Sequence, residues 1–162
     1  MQVKDADLTR IVERLGEHYR VNINNRVMRP VLMKMDLPNS TWELIDRLVA
    51  PPEQQRGQGW DFDDLYEQIL AMAAFVSHAQ HGVAPSIRAL LSAHQGPRPA
   101  SSTDRVLRDM AINNFGSNLG VLSDILNELY LKAVELDKQY NGEKQAVYMR
   151  KPELKTIGQL LI

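Results

Sequence analysis

The sequence predicts an all-α protein, on three observations. Strand-like alternation is confined to VNIN at residues 21–24, too short to stand as a strand. Apolar residues instead recur at three and four along most of the chain, the spacing that places them on one face of a helix. Proline, glycine and small polar residues punctuate these stretches where helices start and stop.

Leu8, Ile11, Val12, Leu15 and Tyr19 form the apolar face of a first helix, with Asp7 as its N-cap. A shorter apolar segment follows Pro30 through Val31, Leu32 and Met35. Ser40 and Glu43 match a capping box, and Pro51-Pro52 ends the helix it opens. PPEQQRGQG is a loop by composition, and its GQG reads as punctuation because Asp61, Asp63 and Asp64 beside it would repel phosphate. Asp61 then caps an amphipathic helix carrying Phe62, Leu65, Tyr66, Ile69, Leu70, Ala73 and Val76, closed by Gly82. Pro85 suits the first position of a short helix, PSIRALLSAH. After a second loop, QGPRPAS, Ser102 or Thr103 opens a helix with Val106, Leu107, Met110 and Ala111 expected inward.

Leu122, Leu126, Leu129, Ala133, Leu136 and Tyr140 step by 4, 3, 4, 3 and 4, a heptad seam suited to self-association or to one helix of an intramolecular bundle. Asn141-Gly142 is a stop signal. Leu154, Ile157, Leu160 and Leu161 give the tail one apolar side for docking. The expected architecture is therefore a multi-helix bundle with a long C-terminal helix, in three segments: 1–50, a tri-helical unit at 61–114, and 118–162.

The centre of the long segment, NNFGSNLG, holds Gly116 and Gly120 among asparagines. Two readings stand side by side. Either the helix breaks there, as a joint between two functional helices, or it runs through and the small residues let a neighbouring helix approach.

Composition bounds the chemistry. The chain has 162 residues, a formal charge of −1 and no cysteine, which removes disulfides, thiolate metal sites and cysteine nucleophiles. MQVKDADLTR lacks the apolar core of a signal peptide, and the longest apolar run, ILAMAAFV, is far short of a membrane span. A cytoplasmic protein without membrane contact is expected. No nucleophile elbow, phosphate-binding glycine loop or zincin motif occurs, so neither an enzyme nor a cofactor is expected. His78 and His81 stand three apart, but no motif marks further ligands. They read as solvated groups complementing a helix dipole rather than as a metal site.

Residues 61–114 carry the functional expectation. Helix, short helix, turn and helix is the skeleton of a helix-turn-helix, and the third helix would enter a major groove. From Pro85 to Arg108 there are four arginines against one aspartate. Gly82-x-x-Pro85-Ser86-Ile87-Arg88, then Ser101-Ser102, Arg105 and Leu107, resembles LexA-type repressor domains and the N-terminal domain of KfrA-type plasmid DNA-binding proteins. The heptad helix that follows is similar to the KfrA arrangement. The resemblance implies double-stranded DNA as partner, with Arg88, Ser101, Ser102, Thr103, Arg105 and Arg108 in contact and Leu122, Leu126, Leu129, Ala133, Leu136 and Tyr140 dimerising. The alternative is a helical bundle that binds a partner protein and no nucleic acid. A second basic stretch, Arg20, Arg26, Arg29 and Lys34, is either an anion patch or the partner of Asp61, Asp63, Asp64 and Glu67.

Overall fold

The computed structural model describes residues 2–53, 57–83 and 102–161. Among these residues the protein is all-α, with seven α-helices and no strand. Helix α1 (Ala6–His18) continues into a π-turn at Tyr19–Ile23. Then come α2 (Arg29–Leu32), α3 (Asn39–Val49) and α4 (Phe62–His78), which also ends in a π-turn, Ala79–Val83. The chain closes with α5 (Ser102–Asn141), α6 (Val147–Arg150) and α7 (Pro152–Leu160).

The helix starts follow from local chemistry, with two corrections to the sequence reading. The first cap is Asp5, whose carboxylate accepts from Leu8 N at 2.9 Å; Asp7 lies inside the first turn and pairs with Arg10 at 2.5 Å. Helix α3 begins at Asn39 behind Pro38, with no side-chain cap bond, so Ser40 and Glu43 fall inside the helix rather than framing it. Asp61 caps α4 as expected, accepting from Asp63 N at 3.0 Å and Asp64 N at 3.3 Å. Helix α5 stops where Gly142 turns to φ +69°, and its N–H bonds Lys138 O at 3.0 Å. The short helix expected from Pro85 lies outside the described residues.

One core joins α1, α3, α4 and α5, with α7 laid against α4. Tyr19 and Trp42 both pack on Phe75, with ring centroids 5.8 and 5.7 Å apart. The seam residues Leu122, Leu126, Leu129, Ala133 and Leu136 are buried in this same core. They are therefore spent on the chain's own helices, and the expected dimerisation seam is corrected to an intramolecular one; of its six residues only Tyr140 is exposed.

Helix α5 is continuous through Gly116 and Gly120, at about 1.5 Å per residue some 60 Å long. The joint is not there. Nor, among the described residues, does a neighbouring helix exploit the glycines, since a Cβ added at either would meet nothing within 4 Å. What crosses at this level is polar and belongs to Asn118. Its carbonyl lies 2.8 Å from His18 Nε2, its amide donates to Asn22 O at 3.4 Å, and Asn22 Nδ2 lies 3.1 Å from His18 Nδ1. A carbonyl only accepts, so His18 carries its proton on Nε2 and accepts from Asn22 at Nδ1. With helical backbone and open space, Gly116→Ala and Gly120→Ala are each expected to stabilise the protein by about 1 kcal/mol. Urea unfolding of the double variant checks this: a higher midpoint at unchanged slope is expected, and a lower one would mean that something covers the glycine face.

The tail is held by polar bonds as well as by Leu154, Ile157 and Leu161, which are buried; Leu160, expected on the same face, is exposed. Asp137 is fully buried near the end of α5. Its carboxylate accepts from Tyr148 N at 3.0 Å, Val147 N at 3.3 Å and Asn141 Nδ2 at 2.8 Å, and so caps α6 from outside. Tyr130 donates to Leu154 O at 2.6 Å; burial, and then the neighbouring Tyr148, push its phenol up to about 12. Burial, and then the Asp137 carboxylate, raise the Tyr66 phenol well above its usual value. Lys151 pairs with Asp63 at 2.9 Å.

Candidate functional site: an acidic cleft around Trp60

Trp60 is fixed by the one pair of strand-like hydrogen bonds among the described residues. Val3 and Trp60 exchange both backbone bonds, each 2.8 Å. The turn that allows this needs Gly59, whose φ is +88° and whose missing side chain leaves room for Val3 O; a Cβ there would sit 2.5 Å from that oxygen. The result ties the chain's start to the loop before α4 and leaves hollows on either side.

Three adjoining hollows meet at this point. The largest, about 520 Å³, has Val12, Val49, Pro51 and Trp60 as apolar wall and Glu13, Glu17 and Thr9 as polar wall. The second, about 420 Å³, shares Thr9 and Glu13 and reaches Asp5, Lys4 and Arg10. The smallest, about 110 Å³, lies between Gln58, Trp60, Asp61, Asp64 and Gln68. Among the described residues their walls carry five carboxylates, Asp5, Glu13, Glu17, Asp61 and Asp64, against three basic groups, Lys4, Arg10 and Arg20. Arg10 pairs with Asp7 and the Arg20 guanidinium donates to Val49 O, while Asp5 and Asp61 accept the backbone N–H groups that open α1 and α4. The cleft is acidic with an apolar floor.

None of the sequence-predicted site residues is among the described walls of the cleft. Arg88 and Ser101 fall outside the described residues. Ser102, Arg105 and Arg108 lie in the first turns of α5, and their side chains are also outside what is described. Thr103 is exposed. Val106 and Met110, expected inward, are 55% and 53% exposed, and the first buried side chain of α5 among the described residues is Phe115. In the second basic stretch, Arg20 binds the α3 end and Arg29 Nε lies 3.5 Å from Asn24 Oδ1; Asp63 pairs instead with Lys151, and no ion pair joins this stretch to the α4 acids among the described residues.

The cleft leaves no local pattern in the sequence, because its walls come from α1, the end of α3, the loop at 57–61 and α4. The available signal was a lone tryptophan between a glycine and three aspartates in a loop otherwise read as a spacer. Among the described residues, no helix is long and apolar enough to cross a membrane, and no group of three His, Asp or Glu side chains is placed to hold a metal ion. Compared with family models, curated proteins and solved structures, the chain matches none.

Proposed function

We propose that this is a non-catalytic helical-bundle protein that binds a basic, partly apolar segment of a partner protein in the cleft around Trp60. The observation that carries the reading is the wall composition: among the described residues, five carboxylates against three basic groups, over an apolar floor. Concave sites with an apolar lining and a few directed polar groups are where ligands bind. An excess of one charge there selects the opposite charge and speeds its arrival.

A second reading, DNA binding through the start of α5, rests on a different observation. The helix opens at Ser102 with Thr103 exposed, in the register where a recognition helix is expected. One titration separates the two. Isotope-labelled protein is followed by NMR while a peptide of alternating arginine and leucine, or mixed-sequence duplex DNA, is added at about 50 and 200 mM salt. The expected result is peptide-induced shifts at Thr9, Glu13, Glu17 and Trp60, weakened about tenfold in Glu13→Gln/Glu17→Gln. Shifts confined to residues 102–114 on adding DNA, lost by orders of magnitude in affinity at the higher salt, would favour the second reading. Silence towards both ligands would sink both.

A further inference from the structure

The cleft calls for a basic, partly apolar segment, and the chain carries one on its own surface. Helix α2 and its flanks are two-sided. Met28, Val31, Leu32 and Met35 are buried, while Arg26, Arg29, Pro30, Met33 and Lys34 are exposed. Between Arg20 and Lys34 the sequence has no acid; Asp36 follows. Arg29 lies near Asn24 and the Asp46 carboxylate. The side chains of Arg26 and Lys34 have no hydrogen bond or ion pair among the described residues. Beside them Met33, a large apolar side chain, is 55% exposed.

The opposite charges are equally unengaged. Glu13 and Glu17 are exposed one helical turn apart on α1, on the wall of the largest hollow. Their side chains have no hydrogen bond or ion pair among the described residues. The base on that wall, Arg20, is turned to Val49 O. Behind the two glutamates, Val12, Val49, Pro51 and Trp60 line about 520 Å³, the size of a site that takes whole side chains. Among the described residues no ion pair joins this wall to the α2 face within one chain. A formal charge of −1 leaves little overall repulsion between copies, so local complementarity governs their encounter.

We propose that the cleft's partner is a second copy of this chain, which docks its α2 face there; the inference rests on the cleft reading above. Met33 enters the hollow, and Arg26 and Lys34 meet Glu13 and Glu17. Methionine is unbranched and polarizable, so it fills irregular apolar gaps and gains from an aromatic ring; Trp60 supplies that ring. With one apolar anchor and a few exposed charges the contact is weak, with a Kd of about 10–100 µM. Its charges meet in water, so salt weakens it further.

Sedimentation equilibrium tests this from about 10 to 500 µM protein, at about 50 and 500 mM salt. The mass is expected to rise with concentration at low salt and to fall back toward that of one chain at high salt. Glu13→Lys/Glu17→Lys and Arg26→Glu/Lys34→Glu are each expected to stay monomeric, because each sets like charges against each other. All four side chains are exposed, and an unchanged circular dichroism spectrum checks that both variants fold. Mixed one to one, the two variants should associate again. The intact cleft of one then meets the intact α2 face of the other, and the two reversed surfaces are also opposite in sign. A chain that stays monomeric throughout, association that either variant keeps, or a mixture that stays monomeric would overturn the proposal. If the unaltered chain stays monomeric while the arginine–leucine peptide still shifts Thr9 and Glu17, the cleft reading stands and self-association does not. Silence towards the peptide, with association that survives Glu13→Lys/Glu17→Lys, removes both.

Discussion

Asp137→Ala is expected to lower stability by about 3 kcal/mol and to free the chain from residue 147 onward. The carboxylate is fully buried and accepts two backbone N–H groups at the start of α6 together with the Asn141 amide. Alanine leaves those donors without an acceptor, and each buried orphan costs about 1–3 kcal/mol. Asp137→Asn keeps one oxygen in the same place and is expected to lose only about 1 kcal/mol. Urea unfolding measures the loss, and limited proteolysis locates it: cleavage should begin between residues 142 and 161 while α1 and α4 stay protected. A loss below about 1 kcal/mol for the alanine variant would mean that water satisfies the α6 donors and that Asp137 does not hold the tail.

The second large effect concerns Gly59. Gly59→Ala puts a side chain at φ +88° with its Cβ 2.5 Å from Val3 O. The left-handed backbone costs about 1–2 kcal/mol for an L-residue, and the clash breaks the two Val3–Trp60 bonds, each contributing about 0.5–1.5 kcal/mol. A loss of about 3 kcal/mol is expected, together with loss of peptide binding, because Trp60 no longer has a fixed position. Gly142→Ala is the internal control. Its φ of +69° carries the same backbone cost, but nothing lies within 4 Å of the added carbon, so about 1 kcal/mol should be lost and binding kept. Equal effects at the two glycines would show that conformation alone matters and that the Val3 contact does not build the cleft.

Much of the helical frame was legible because its causes are local. The α1 face, the Asp61 cap and the Asn141-Gly142 stop each depend on residues within a turn or two of one another. The heptad seam shows where such reasoning ends. A step of 4, 3, 4, 3 records that a helix face is covered, not whose side chains cover it, and here α1 and α4 of the same chain do so. The glycines misled for a related reason. Their cost of about 1 kcal/mol each is smaller than the gain from burying Phe115, Leu119 and Leu122 around them, at about 1.5–3 kcal/mol apiece. Tertiary burial therefore carries the helix through. Asp137 and the cleft were invisible for lack of any pattern. An aspartate eleven residues from the N–H it binds, or a hollow shared by four separate segments, leaves no periodic trace.

The pairing of α1 with α5 has a consequence for the speed at which the chain organises itself. His18 meets Asn118 across 100 positions, and Arg14 meets Glu128 across 114. Helical bundles usually fold fast because their neighbours in space are neighbours in sequence. Here the first helix has to find its partner after a long loop has closed, and the entropy of that closure must be met before the contacts reward it. The native helices can form early and locally, yet their assembly waits on one distant encounter. Its folding is therefore expected to be slower than that of a bundle whose neighbours in space are all neighbours in sequence.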